Sequence, residues 1–199
     1  MSERSDLDLI ARLVPPGSRV LDLGCGGGEL LALLRDTQGC SGYGVEIDDD
    51  KVRACVARGV NVVQLNLEEG LALFDDHSFD VVLQLDTLQH LRRTEHMLRE
   101  TARVGRIGIV SFPNFAHWPN RLHVLRGHMP VTRTLPYQWF DTPNIRVGTL
   151  SDFEQLARKC GLRVTDRFGL QGGRVVRRWP NLRASVAVFR FEQGQAAQG

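Results

Sequence analysis

Lysine is almost missing from this 199-residue chain: Lys51 and Lys159 are its two examples, and every other basic side chain is an arginine. Cysteine is sparse too. Cys25, Cys40, Cys55 and Cys160 form no C-x-x-C pair, which leaves no zinc or redox motif to read, and buried reduced thiols are expected. No apolar run is long enough to span a bilayer, and the opening Met1-Ser-Glu-Arg-Ser-Asp lacks the basic and apolar regions of a secretory leader. A cytoplasmic protein without membrane contact is therefore expected. No internal repeat and no basic block of the length of a nucleic-acid tail occurs, so no nucleic-acid partner is expected either.

What is present describes a folded domain. Hydrophobic residues make up 42% and charged residues 24%, close to the soluble average. The length suits one core, so a single domain is expected over 1–193, with a small polar tail at 194–199. The net charge of +2 hides an opposition: residues 1–91 hold seven Lys and Arg against sixteen Asp and Glu, and residues 92–199 hold eighteen against seven. Such asymmetry marks an anionic ligand, an acidic partner or a solvated arginine face, and the last is favoured here.

Short apolar runs alternate with amphipathic ones. Asp6–Val14 reads as a helix ended by Pro15-Pro16-Gly17, and Arg19–Leu23 reads as a strand running into glycines. Helices follow at 29–35, 49–58 and 92–102, and strands at 42–47, 60–65, 79–84 and 106–111. After a proline-broken stretch, 113–148, Ser151 can cap a helix through Cys160, and 162–168 and 184–191 read as two antiparallel strands at a sheet edge. The expectation is an α/β fold: a doubly wound, mostly parallel seven-stranded sheet with an antiparallel edge. A long structured loop in a compact domain is more often functional than accidental, so 113–148 is the expected acceptor-side insert.

The run Val20-Leu-Asp-Leu-Gly-Cys-Gly-Gly-Gly28 places Asp22 at the end of the first strand and a glycine loop directly after it. Open α/β sheets bind ligands at that edge, where strand order reverses. A dinucleotide fingerprint would need a small residue at 29; Glu29 stands there instead and would repel a pyrophosphate. A phosphate-free nucleoside fits better. S-adenosylmethionine (SAM), or its product S-adenosylhomocysteine, offers an ammonium to Asp22, a carboxylate to the amides of Gly24, Cys25, Gly26 and Gly28, a ribose diol to Glu46 at the end of the second strand, and an adenine to Ile47. A tight turn with no ligand is the plainer alternative.

The run 20–28, Gly44-Val-Glu-Ile-Asp48 and Phe79-Asp-Val-Val-Leu-Gln-Leu-Asp-Thr-Leu-Gln-His-Leu91 resemble the class I SAM-dependent methyltransferases over nearly the whole chain. That resemblance implies Asn66 and Leu67 beside the adenine, Asn66 replacing the usual Asp, and Gln84 and Leu85 beside the methionyl part. More narrowly, Ser111-Phe-Pro-Asn-Phe-Ala-His-Trp-Pro-Asn-Arg-Leu122 and Trp139-Phe-Asp-Thr-Pro-Asn-Ile-Arg146 resemble the MetW family of methionine biosynthesis. This likeness implies a role alongside a homoserine O-acyltransferase.

Methyl transfer is an in-line displacement that needs alignment and desolvation more than a fixed catalytic motif. His117, Tyr137 and Arg121 are the catalytic candidates on the acceptor side, with Asn114 as a further polar group. His117 is the one able to act as a base. Trp118 and Trp139 are expected to pack the loop onto the sheet. Arg121 and Arg146 would bind either an anion or a loop carbonyl. Asp86, Gln89 and His90 lie where some similar methyltransferases hold a metal, but the neutral amide of Gln89 is a poor ligand for a hard cation, so no metal is expected. Since a single helix precedes the first strand, cover for the site is expected from 113–148 or from another protein. Two functions stay open: an accessory subunit responding to SAM, and an active methyltransferase on a small molecule.

Overall fold

The computed structural model describes residues 2–194. Its strands are β1 (Arg19–Leu23), β2 (Ser41–Glu46), β3 (Val62–Gln64), β4 (Phe79–Leu85), β5 (Gly105–Pro113), β6 (Leu162–Gln171), β7 (Arg174–Val176) and β8 (Val186–Gln193). Its helices are α1 (Ser2–Ala11), α2 (Glu29–Gln38), α3 (Asp49–Ala57), α4 (Thr94–Val104), α5 (Trp118–Leu125), α6 (Leu150–Lys159) and the short α7 (Pro180–Arg183). One sheet runs β3-β2-β1-β4-β5-β8-β6-β7, parallel from β3 to β5 and antiparallel from β8 onward. The mixed α/β sheet expected from the alternation is present, with eight strands among the described residues where seven were expected.

The extra strand is β7. Arg174–Val176 pairs with Gly169–Gln171 across a two-residue turn, Gly172-Gly173, with φ of 55° and 75°. Both turn residues need positive φ to match the strand twist, and glycine alone adopts it freely. The brevity of β7, with Arg177 and Arg178 directly after it, conceals the strand, because three residues are too few to show an alternating pattern. β8 inserts between β5 and β6, so the antiparallel pair expected at the edge is itself flanked by the β7 hairpin.

Three further boundaries differ from the sequence reading. α1 starts at Ser2 and stops at Ala11; residues 12–14 continue only as a tightened turn, with Val14 N–H donating to Ala11 O. α6 is capped by Thr149 rather than Ser151: the Thr149 hydroxyl accepts from Asp152 N–H while the Asp152 carboxylate accepts from Thr149 N–H. That reciprocal box satisfies two orphan donors. Within the stretch expected to be broken throughout, Trp118–Leu125 is a two-turn helix, because Pro119 lies in its first turn, where a missing N–H costs nothing. Of the expected tail, Gly194 N–H donates to Gly161 O, and 195–199 lie outside the described residues.

Alternation along the strands divides the core. Val20, Val81, Leu83 and Ile109 pack with α1 and α2, whereas Leu21, Leu23, Val82 and Met97 pack on the other face. A third cluster joins α4 and α6 to the antiparallel end through Phe112, Phe153, Phe189 and Phe191, with the Phe153 and Phe189 rings 4.4 Å apart. No helix among the described residues is long and apolar enough to cross a membrane. Phe189 is fully buried at the centre of the aromatic cluster. Phe189→Ala is expected to lower unfolding free energy by about 3–5 kcal/mol through lost transfer energy and a residual cavity. Urea denaturation measures this, and a loss under about 1 kcal/mol would mean that the cluster is not a stabilising core.

Candidate functional site

Strand order reverses at β1, with β2 on one side and β4 on the other, so the carboxyl ends of these strands open a crevice there. The register sets Asp22 beside Gly44 and Leu83. Glu46 closes β2 two residues beyond Gly44, and Leu85 closes β4 two residues beyond Leu83. Asp22, the glycine loop, Glu46 and Leu85 thus converge on one edge.

The loop is held mainly by the end of β2. Gly24 N–H and Cys25 N–H both donate to Val45 O, at 2.8 and 3.0 Å, and Gly28 N–H donates to Cys25 O at 3.0 Å. Gly26 N–H donates to Glu46 Oε2 at 3.0 Å. These four amides, expected from sequence to face a ligand carboxylate, are engaged within the protein. Gly24, at φ 78°, is the position that tolerates no side chain: a Cβ there would stand 2.5 Å from Thr87 Oγ1. That hydroxyl donates to Leu23 O at 2.9 Å, which seats the turn after β4 against the loop.

Glu46 is nearly buried, and its Oε1 accepts Ile47 N–H at 2.9 Å and Asp48 N–H at 3.1 Å in addition to the Gly26 bond at Oε2. A carboxylate offers about four acceptor directions, so this one is oriented by three amides with capacity to spare. Asp22 is 4% exposed. Burial first, and the Glu46 charge second, push its pKa up to about 7, and no described residue donates a hydrogen bond to it. A carboxylate kept from ionising, with a second carboxylate nearby, is primed for a cationic partner.

The remaining positions divide by orientation. Ile47 is 60% exposed at the tip of β2, and Asn66 is exposed, its Oδ1 accepting Glu68 N–H to start the turn that opens with Leu67. Leu67 and Leu85 are half-buried against the core. Gln84 is turned away from that role: its side chain is fully buried and donates to Thr101 Oγ1 of α4. Cys25 likewise points inward, its Sγ lying 3.7 Å from Cys55 Sγ, and burial pushes its thiol well above the usual range. Glu29 pairs with Arg58 at 2.7 Å, and Arg58 Nη1 donates to Gly27 O. Sequence reasoning missed Thr87 and Arg58; Thr87 stood inside a motif already noted, while nothing local marks Arg58.

On the 113–148 side, polar groups serve the protein itself. Asn114 is fully buried, its amide donating to Asn181 O and Ala184 O, and Arg121 Nε donates to Ala116 O. Arg146 Nη2 donates to Arg92 O, so both arginines secure carbonyls. His117 is buried before α5, and burial lowers its pKa, so the neutral imidazole dominates at neutral pH. Trp118 and Trp139, expected to pack, are 55% and 70% exposed, and Tyr137 is exposed beside them. His90 Nδ1–H donates to Pro143 O. Among the described residues no group of three or more His, Cys, Asp or Glu is placed to hold a metal.

Comparison with known proteins resolves the relationship. The family described as "Methionine biosynthesis protein MetW" matches residues 4–191. The chain belongs to the MetW family. It is 36% identical over 202 aligned positions to the bifunctional methionine biosynthesis protein MetXA/MetW of Rhodopirellula baltica, covering 94% of this chain. The chain spans 32% of that relative's length. Solved structures agree on the fold of this MetW-family chain. A SAM-dependent methyltransferase, possible histamine N-methyltransferase, of Thermotoga maritima superposes with a TM-score of 0.70 at 21% identity, over 96% of this chain and 88% of its own. The magnesium protoporphyrin IX methyltransferase of Synechocystis, solved with bound S-adenosylhomocysteine, gives 0.68 at 18% identity, over 96% and 84%.

Asp22 supplies a test of these electrostatics. Its folded pKa near 7 lies above its unfolded value near 3.8, so its contribution to stability is intact below about pH 4, is lost as pH rises toward 7, and stays lost above. Asp22→Asn removes this dependence. Between about pH 4 and pH 8, the variant should gain on the natural protein by on the order of a few kcal/mol in urea denaturation. An unchanged difference would place Asp22 in an ordinary solvated setting.

Proposed function

We propose that this MetW-family chain is a SAM-binding subunit of methionine biosynthesis that works with a homoserine O-acyltransferase and adjusts it according to SAM level. The buried Asp22, unpartnered and held near pKa 7 beside the glycine loop, carries the ligand assignment. An ammonium relieves both causes of the raised pKa, because it neutralises the site and supplies the missing hydrogen bond. Glu46 stands ready for a ribose diol on its remaining acceptor capacity, and exposed Ile47 offers an apolar surface for a purine. Asn66 and Leu67 would border the adenine, while Gln84, Leu85 and Cys25 would border the methionyl chain through their main chains. Glu29, paired with Arg58, stands at the position where a dinucleotide fingerprint has a small residue. SAM when bound supplies an activated methyl group.

The partner reading rests on two observations. The Rhodopirellula protein carries MetXA and MetW in one name and is about three times the length of this match, and Trp118, Tyr137, Trp139 and Phe140 are all exposed, the Trp139 and Phe140 rings meeting edge to face. Large aromatics are enriched at interaction surfaces. The engagement of Asn114 and Arg121 with carbonyls leaves fewer acceptor-side groups for chemistry, which favours sensing over methyl transfer. SAM is the downstream product of the acylation route, so binding it would close a feedback loop.

Two measurements test this. In titration calorimetry, Glu46→Ala should weaken SAM binding by about 1.5–3 kcal/mol through lost charge-assisted hydrogen bonds; unchanged affinity would move the ribose contact elsewhere. A pull-down from native lysate with and without SAM should recover the acyltransferase, with its acylation rate changing on SAM addition. Absence of association at micromolar concentration, or accumulation of S-adenosylhomocysteine well above background with a small acceptor, would overturn the accessory role.

A further inference from the structure

A cavity of about 600 Å³ lies between α4, the tip of β5, the 135–149 segment and α6. It shares no residue with the glycine-loop crevice. Thr87 closes the crevice, whereas the next two residues, Leu88 and Gln89, line the cavity. Gln89 O accepts both Ile145 N–H and Arg146 N–H at 3.0 Å, which fastens the covering segment. The volume falls in the range of small-molecule sites.

Two features of its lining define what it takes. Phe112 and Phe153 make an aromatic floor. Arg92 and Arg146 pair with no carboxylate among the described residues, and Arg146 is oriented through Arg92 O. Arg93 and Arg99 lie 3.9 and 4.0 Å from Glu68 and Glu95, Glu95 also binds Lys159 at 2.6 Å, and Asp152 keeps its charge while hydrogen-bonded in the α6 cap. Arg92, Arg93, Arg99, Arg146 and Lys159 thus outnumber Glu68, Glu95 and Asp152, and the net charge of the region is positive.

We infer that this cavity binds a small carboxylate with an apolar body, the chemical class of aryl- and alkyl-substituted carboxylic acids. The apolar group rests on Phe112 and Phe153, and the carboxylate meets the guanidinium groups of Arg92 and Arg146. The site is independent of the SAM reading, since no crevice residue contributes to it.

The test uses the full chain and three probes in titration calorimetry. N-acetyl-L-phenylalanine and 3-phenylpropanoate both carry the ring and the negative charge, and N-acetyl-L-phenylalaninamide lacks the charge. The two acids are expected to bind one-to-one, and the amide at least tenfold more weakly. Arg92→Gln, at an exposed side chain, should weaken the first probe about tenfold, in line with loss of one charged contact. Val147→Trp, placed at a position 61% exposed on the cavity wall, should block it. Saturating S-adenosylhomocysteine should leave the affinity unchanged. No binding of N-acetyl-L-phenylalanine, equal affinity for the three probes, or full binding by folded Arg92→Gln and Val147→Trp would each overturn the assignment, and competition with S-adenosylhomocysteine would relocate binding to the crevice.

Discussion

The contact that organises this molecule is the reach of the β2 tip across to the glycine loop. Val45 O receives two loop amides and the Glu46 carboxylate receives a third, while the same carboxylate also takes the amides of Ile47 and Asp48. Five donors that would otherwise face water or a ligand are thereby satisfied by two adjacent residues. The bend after β1 is set before any ligand arrives, which lowers the ordering cost of binding. Thr87 from the far side of β1 completes the enclosure and excludes a side chain at Gly24.

Pre-organisation of this kind has an electrostatic counterpart. Two carboxylates, Asp22 and Glu46, are buried at one edge, and the protein treats them oppositely. Glu46 accepts three main-chain N–H groups, whereas no described residue donates a hydrogen bond to Asp22, and burial pushes the pKa of its carboxyl up to about 7. One acid is thus fixed in orientation by the backbone, and its neighbour is not.

Much of the architecture was legible because hydrophobic period and turn residues agree along most of the chain. Val20–Leu23, Phe79–Leu85 and the glycine that ends α6 announce themselves locally. The misread parts depend on information that pattern does not contain. β7 is three residues long, too short to show an alternating pattern, Thr149 and Ser151 are equally good cap residues until Asp152 is seen to answer the former, and Pro119 breaks a helix or begins one according to its place in the turn. At the candidate site, spacing pointed to Asp22, Gly24 and Glu46, which the sheet brings to one edge, while Asn66, Leu67, Gln84 and Leu85 were named from the family resemblance. Spacing could not show that Gln84 would turn onto α4, nor that Thr87 and Arg58, separated from the loop atoms they contact by 64 and 31 residues, would support it. The tryptophans of the insert mislead for another reason: large aromatic rings usually pack inward, and here Trp118 and Trp139 do not.

The margins of the sheet carry their own consequence. Both outermost strands, Val62–Gln64 on one flank and Arg174–Val176 on the other, are three residues long. So brief a ladder exposes too few unpaired amides and carbonyls to template an extended segment of a second polypeptide, and Arg174 and nearby Arg177 on the β7 flank further discourage edge-to-edge growth. Complexes built by this chain must then form through side chains and loops, with the sheet finishing where the molecule does.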